Sequence, residues 1–404
     1  MTTFEDDLAN PTGCPVTHHA SLNRDWTPAG WHAANFDLQR ELAPVHTGLA
    51  NSHQFYMATR MDDIRRSFQT PEVFSNTAVT PGEPDPPYRW IPEMLDGKYH
   101  VYWRQMLGPM WSPPAIDKLR PRLLQRFTEV LDAVADKGEC EFVNDVALLF
   151  PNVMFMDLMG LPRADAAQFQ AWEVAILHGG VGPERDQQRM DAMMAVIGYF
   201  MGLIAERRKE PRDDMLSYVL AAKLDDGPIP DQDILDFCLL MFMAGLDTVA
   251  NQLTYNFWHL ATHDDDRRRI VDDPSMIPGA VEEFLRYYSF VTPSRKVLSD
   301  TEIAGCPVPA GHMVFLPLVA ANRDPREFGP DANEVKIDRG VNRHIAFGAG
   351  PHRCLGSHLA RAELYIAMEE WHKRLPNYRI APGTEVLEHG GQYGIEQLHL
   401  VWDR

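Results

Sequence analysis

The sequence predicts a mainly helical α+β fold laid out as one large domain over residues 1–404. Three observations point there. Apolar residues recur at helical spacing over long stretches, strand patterns are brief, and no internal repeat, low-complexity tract or long Gly/Ser linker divides the chain. Hydrophobic residues make up 45% of the positions and charged residues 24%, values that support a large buried core.

The elements follow in order. The first hundred residues are rich in proline and aromatics, offer a short strand at Gln54–Thr59, and carry TPGEPDPPYRWIPEM, an irregular, pocket-forming loop. From Ile116 to Asp136 the apolar residues, among them Leu119, Leu123, Phe127, Val130 and Val134, share one helical face, with Gly138 as a stop. Further helices continue to Arg208. After Pro230, a helix from about Asp231 to His263 is expected, with Asp231 as its N-cap. It is apolar nearly all round and, at roughly 45 Å, should cross the middle of the domain rather than lie on its surface. Ile277–Ser289 reads as another helix, TEIAGCPVPAGHMVFLPL as strand, turn and strand, and Leu355–Leu375 as a final long helix.

Charge and composition exclude some functions. A net charge of −19 with no Lys/Arg block disfavours nucleic acid as a partner. The N-terminus lacks a basic start followed by an apolar run, and FCLLMFMAGL is too short to span a bilayer, so no membrane role and a cytoplasmic location are expected. The five cysteines, scattered and odd in number, suit a reducing compartment better than a disulfide framework.

The chemistry concentrates in FGAGPHRCLGSHLARAEL, residues 347–364. A lone cysteine can be a small buried hydrophobe. Cys354, however, sits at the mouth of a helix, where free N–H groups and the helix dipole favour a thiolate. Gly348, Gly350 and Gly356 would let the backbone approach a flat, bulky ligand. Zinc held by His352, Cys354 and His358 would lack a fourth donor at the usual spacing, so one thiolate points to haem iron.

The stretch resembles the haem-binding signature F-G-x-G-x-H-x-C-x-G of the cytochrome P450 family, matched by Phe347, Gly348, Gly350, His352, Cys354 and Gly356. The resemblance implies the cytochrome P450 fold, a single large helical domain with small β-sheets around a buried haem b (Fe-protoporphyrin IX). Cys354 would be the axial ligand of the iron, with Phe347 and Gly348 lining the cofactor. His100 and Arg104 of HVYWR lie four apart on one helical face, a pattern that alone usually means a solvated face. By resemblance they bind haem propionates together with Arg295 of TPSRK and His352. Glu283 and Arg286 of EEFLR, alone an ordinary i, i+3 ion pair, would tie their helix to the segment supporting the cysteine loop.

Within the central helix, Ala244-Gly245-Leu246-Asp247-Thr248 is locally poor in helix formers. Such a segment in a core helix suggests function, although Gly245 for close packing and Asp247 in a buried ion pair remain open readings. The motif resembles the family's A/G-G-x-D/E-T sequence. That likeness implies that Thr248 and Asp247 serve oxygen activation and proton delivery, with Gly245 leaving room for dioxygen.

The likeness is strongest to the bacterial camphor hydroxylase group. It implies a substrate hydrogen bond from Tyr88 of PYRWIPEM and pocket walls from Trp90, Leu240, Met243 and Val291. Packing within a proline-rich loop is the alternative for Tyr88. Met243 stands where a valine is expected and Pro293 where an acidic residue is, so a related monoterpenoid or a norisoprenoid such as ionone fits better than camphor. With no flavin motif and no cysteine cluster, electrons must come from another protein. By resemblance this is a [2Fe–2S] ferredoxin served by an FAD-containing, NADH-dependent reductase. Arg104, Arg343, Arg353 and Arg361 are candidate docking charges, with ordinary surface charge as the alternative. The expected reaction is hydroxylation of an unactivated C–H bond of a small hydrophobic terpenoid with O2 and two electrons. A non-catalytic haem-thiolate sensor or carrier, which would normally carry an output domain, and a peroxide-driven peroxygenase are the rival readings.

Overall fold

The computed structural model describes residues 27–51, 53–178, 183–224, 227–389 and 393–403. They fall into two compact units. One is drawn from the chain up to Pro87, Asn251–Ser357 and Trp371–Asp403; the other is drawn mainly from Tyr88–Ala250 and His358–Glu370.

The first unit is organised by a five-stranded sheet. Val45–Ala50 pairs antiparallel with His53–Ala58, which lies parallel to Met313–Phe315; that strand pairs antiparallel with Ser294–Val297, and Phe74–Ser75 closes the far edge. The parallel pair is joined through more than two hundred residues of intervening chain, a long-range contact that local sequence pattern does not reveal. Ile64, Phe68, Phe74, Val297, Val314 and Ile345 form part of one apolar cluster. Helices Met61–Gln69, Ile277–Tyr287 and Leu318–Asn322 also belong to this unit.

The second unit is helical. Gly97–Leu107, Pro113–Asp132, Leu149–Met159, Pro183–Lys209 and Asp231–Gly245 are its principal elements. Phe169 stands at the centre of an aromatic cluster, with Phe155, Trp172, Tyr199, Phe200 and Phe242 at ring-centroid distances of 5.1–6.2 Å. Trp103 stacks on Phe237 at 5.7 Å, joining Gly97–Leu107 to Asp231–Gly245.

Several expectations shift. The helix expected over Asp231–His263 is two helices, Asp231–Gly245 and Asp247–Thr262, interrupted at Leu246. Leu246 itself stays in the right-handed helical region, at φ −94° and ψ −57°, and follows Gly245. Pro230, not Asp231, is the N-cap residue; Asp231 and Asp233 occupy the first turn, where their charge favours the helix dipole. The helix expected from Ile116 starts earlier, at Pro113, and ends at Asp132, and Gly138 takes the left-handed conformation after a short 3-10 turn. TEIAGCPVPAGHMVFLPL yields three strands: Thr301–Ile303 pairs with Cys306–Val308, while Met313–Phe315 joins the large sheet. The final helix runs Ser357–Arg374, and the early strand is His53–Ala58. Cys306 is disulfide-bonded, against the expectation that the cysteines suit a reducing compartment better than a disulfide framework. No described helix is long and apolar enough to cross a membrane.

Candidate active site

In the first unit the site residues converge on the cysteine loop. Gly348 and Gly350 take φ of +70° and +71°, left-handed values that glycine adopts without penalty. Gly350 presses on the end of helix Met61–Gln69 so closely that a Cβ would lie 2.4 Å from the Phe68 carbonyl oxygen. The Cys354 N–H donates to the Phe347 carbonyl at 2.8 Å and the Gly348 N–H to that of Ile345 at 2.8 Å, so the loop is held by its own backbone. Cys354 remains exposed on this frame, three residues ahead of the 18-residue helix Ser357–Arg374.

Arg295 lies in the sheet opposite Val314, and its guanidinium sits 4.7 Å over the Phe68 ring. Phe68, which sequence reading missed, is therefore common ground for Arg295 and the loop that carries His352 and Cys354. Its only sequence signal was an apolar position near the end of an amphipathic helix. Val291 is partly buried against the same apolar cluster, and its carbonyl accepts the Leu318 N–H at 3.3 Å.

Behind the loop, Arg286 and Glu283 are fully buried and joined by two hydrogen bonds of 2.7 and 2.8 Å. Arg286 also donates to the Asn322 carbonyl, and the Asn322 side-chain oxygen accepts the Ile345 N–H at 2.8 Å. The pair thus reaches the start of the cysteine loop through one asparagine. Glu283 further accepts from the Lys336 N–H, Arg339 and Asn342.

In the second unit the remaining candidates surround helix Asp231–Gly245. Tyr88 and Trp90 stack on each other at 5.0 Å. Between them, Arg89 ion-pairs with Asp233 and Asp236, tethering the proline-rich loop to the helix that carries Leu240 and Met243. Tyr99 also hydrogen-bonds Asp233. These ties were not recognised from sequence, where neither acid was singled out. Burial raises the Asp236 carboxyl above its ordinary value, against the lowering by Gln232 and Arg89.

His100 is buried and Arg104 half-buried one turn apart on Gly97–Leu107, the helix anchored through Trp103. Gly245 packs against helix Leu149–Met159, where a Cβ would come within 3.3 Å of the Phe155 ring. Its lack of a side chain therefore serves helix packing. Asp247 is buried and opens the next helix, and the Thr248 hydroxyl donates to the Ala244 carbonyl at 3.0 Å across the interruption.

The donor chemistry fits a haem. Burial raises the thiol pKa of Cys140 and Cys238, holding them neutral, whereas Cys354 is exposed. Among the described residues no three His, Cys, Asp or Glu side chains form a metal cage, so the loop offers one sulfur, the donor that a haem iron takes.

The cytochrome P450 family model matches residues 168–273 and 275–385. The probable cytochrome P450 127A1 of Sinorhizobium fredii is 33% identical over 92% of this chain and 90% of its own length. The vitamin D(3) 25-hydroxylase of Pseudonocardia autotrophica is 30% identical over 82% and 83% of the two chains. The crystal structure of CYP101J2 superposes with a TM-score of 0.85 at 27% identity, covering 100% of both chains. The chain belongs to the cytochrome P450 family and has its fold. It is a P450 monooxygenase, and members of this family bind haem b through a cysteine thiolate and use O2 with a redox partner.

Proposed function

We propose that the chain hydroxylates an unactivated C–H bond of a small hydrophobic terpenoid, a camphor-like monoterpenoid or a norisoprenoid such as ionone. The observation that carries this reading is the tether of the Tyr88–Trp90 loop by Arg89 to the helix bearing Leu240 and Met243. It joins one phenolic donor to apolar side chains within a single unit, a combination suited to a ligand with one polar handle. The likeness to CYP101J2 supports the camphor hydroxylase group, and the relative named for vitamin D(3) marks larger substrates as the comparison to make.

In this reading Cys354 holds the haem iron, and His100, Arg104, Arg295 and His352 hold the propionates, with Phe347 and Gly348 against the cofactor. Bound haem supplies the activation of dioxygen. Tyr88 donates to a substrate carbonyl, while Trp90, Leu240, Met243 and Val291 exclude water and fix which carbon is presented. With its own proton on the Ala244 carbonyl, the Thr248 oxygen presents lone pairs to a neighbouring donor. Asp247 passes protons inward from solvent, and Gly245, besides its packing role, keeps the helix surface open there. Electrons arrive from a [2Fe–2S] ferredoxin reduced by an FAD-containing, NADH-dependent reductase. Arg104, Arg343, Arg353 and Arg361 form its docking charges, in a cytoplasmic protein acting as one domain over residues 1–404.

The test is a titration of haem-loaded protein with camphor, cineole and ionones, beside fatty acids and a steroid, following the haem absorption. Terpenoids should shift the spectrum at the lowest concentrations. A shift with fatty acids or the steroid and none with any terpenoid would overturn the assignment.

A further inference from the structure

Apart from the candidate active-site residues, the first unit contains a cavity of about 590 Å3, within the range of small-molecule sites. Its lining comes from the start of helix Trp31–Leu42, from Asp247–Thr262, from the end of Ile277–Tyr287 and from the strands near Glu388. None of the residues assigned above to haem, oxygen or substrate lines it.

Five tyrosine and tryptophan rings contribute to this lining. Tyr255 and Tyr288 stack at 5.6 Å with an interplanar angle of 8°, and Trp258 stands edge-on to both, at 6.4 and 5.8 Å. Tyr287 and Tyr393 add two more rings. Three carboxylates, Asp266, Glu334 and Glu388, and one guanidinium, Arg323, line it; Asp266 is already engaged by His259 at 2.9 Å and Arg269 at 3.6 Å, whereas Glu388 meets only neutral donors. Arg323 is already ion-paired with Asp37 and lies 4.0 Å over the Tyr287 ring.

Glu388 carries the argument furthest. It is almost fully buried and is raised above its ordinary value by burial. The groups that pull it back down are uncharged donors: the N–H groups of His32, Gly30 and Trp31 and the Tyr255 hydroxyl. A cation within the cavity would supply the charge compensation that these neutral donors do not. Faces of tyrosine and tryptophan are the surfaces that attract an organic cation, and the net charge of −19 favours its approach.

We propose that this cavity is a second ligand site, selective for a small organic ammonium compound held between aromatic faces and the carboxylates of Glu388 and Asp266. Such a ligand gains cation–π attraction here that a neutral molecule of equal shape does not.

The probe is phenyltrimethylammonium, which has no lone pair with which to ligate haem iron, compared with its neutral isostere tert-butylbenzene. Binding to the haem-loaded protein is followed by saturation-transfer NMR and intrinsic tryptophan fluorescence, with the haem absorption recorded alongside. The expected result is saturable binding of the cation, roughly 10-fold tighter than the isostere, with an unchanged haem spectrum. Trp258 is only half-buried, so Trp258→Leu should fold and weaken the cation several-fold, and Asp266→Asn should weaken it in the same sense. No saturable binding would overturn the proposal, as would equal binding of the neutral isostere. So would binding that moves the haem spectrum and survives Trp258→Leu. The charge comparison uses the unaltered protein and decides the matter even where a variant fails to fold.

Discussion

Arg286 and Glu283, both fully buried, meet at 2.7 Å, and the arginine continues to the Asn322 carbonyl at 2.9 Å. Removing one partner of such a pair leaves the other charged and dry. Glu283→Gln is expected to destabilise the protein by about 3–5 kcal/mol, because the buried Arg286 loses its counter-charge and Arg339 is left with Asp331 alone. Urea unfolding measures the loss. Haem retention after gel filtration should fall as well, since Asn322 carries the network to Ile345. Full stability in Glu283→Gln would contradict the buried-pair account.

Cys354→Ser is expected to abolish the long-wavelength Soret band of the reduced, carbon monoxide-bound protein and to abolish hydroxylation. Cys140→Ser and Cys238→Ser should leave that band in place, because burial keeps both thiols protonated. Persistence of the band in Cys354→Ser would remove the assigned axial ligand.

Thr248→Ala removes a hydroxyl that donates to the Ala244 carbonyl beside the helix interruption. Oxygen and NADH consumption should continue while hydrogen peroxide replaces most of the alcohol product. Product and peroxide measured in the same reaction check this. An unchanged product yield would exclude the proton-delivery role.

Gly350 and Gly348 share nearly the same φ, but only the first has a neighbour in the way. A Cβ on Gly350 would lie 2.4 Å from the Phe68 carbonyl, whereas one on Gly348 meets nothing within 4 Å. Gly348→Ala should therefore lose only the left-handed backbone preference, about 1 kcal/mol. Gly350→Ala should lose more than that and should displace the loop, seen as a lower melting temperature and weaker haem retention.

His32 provides a pH prediction. Burial, assisted by the neighbouring His389, lowers its pKa from 6.5 to about 4. The folded state therefore resists a proton that the unfolded chain accepts. The stabilising contribution is complete above pH 6.5 and is lost as pH falls through about 4, on the order of 2 kcal/mol. Urea midpoints for the wild type and His32→Phe, compared at the two ends of that window, should show a shallower acid limb for the variant. Parallel pH profiles would assign the acid limb elsewhere.

Much of the site was legible because its chemistry is local in sequence. The glycines, the cysteine and the following helix occupy one short run, and Glu283 and Arg286 are three residues apart. The interruption at Leu246 was less accessible. The weak helix formers around it were visible, but the choice between strain within a continuous helix and an actual break depends on tertiary packing, including Phe155 against Gly245. Arg89 was passed over for a different reason. Its carboxylate partners lie about 145 residues away, and nothing near it in the chain advertises them. Phe68 was hidden similarly, because its meeting with Arg295 and Gly350 depends on the folding of segments far apart in sequence.

The bond from Thr248 to Ala244 has a wider consequence for how this position can vary. One oxygen atom both secures a main-chain carbonyl beside the Leu246 discontinuity and stands where proton traffic is assigned. Serine could meet both demands, whereas valine would keep the bulk and strand the carbonyl. Tolerance at this position should therefore track the presence of a hydroxyl rather than the size of the side chain.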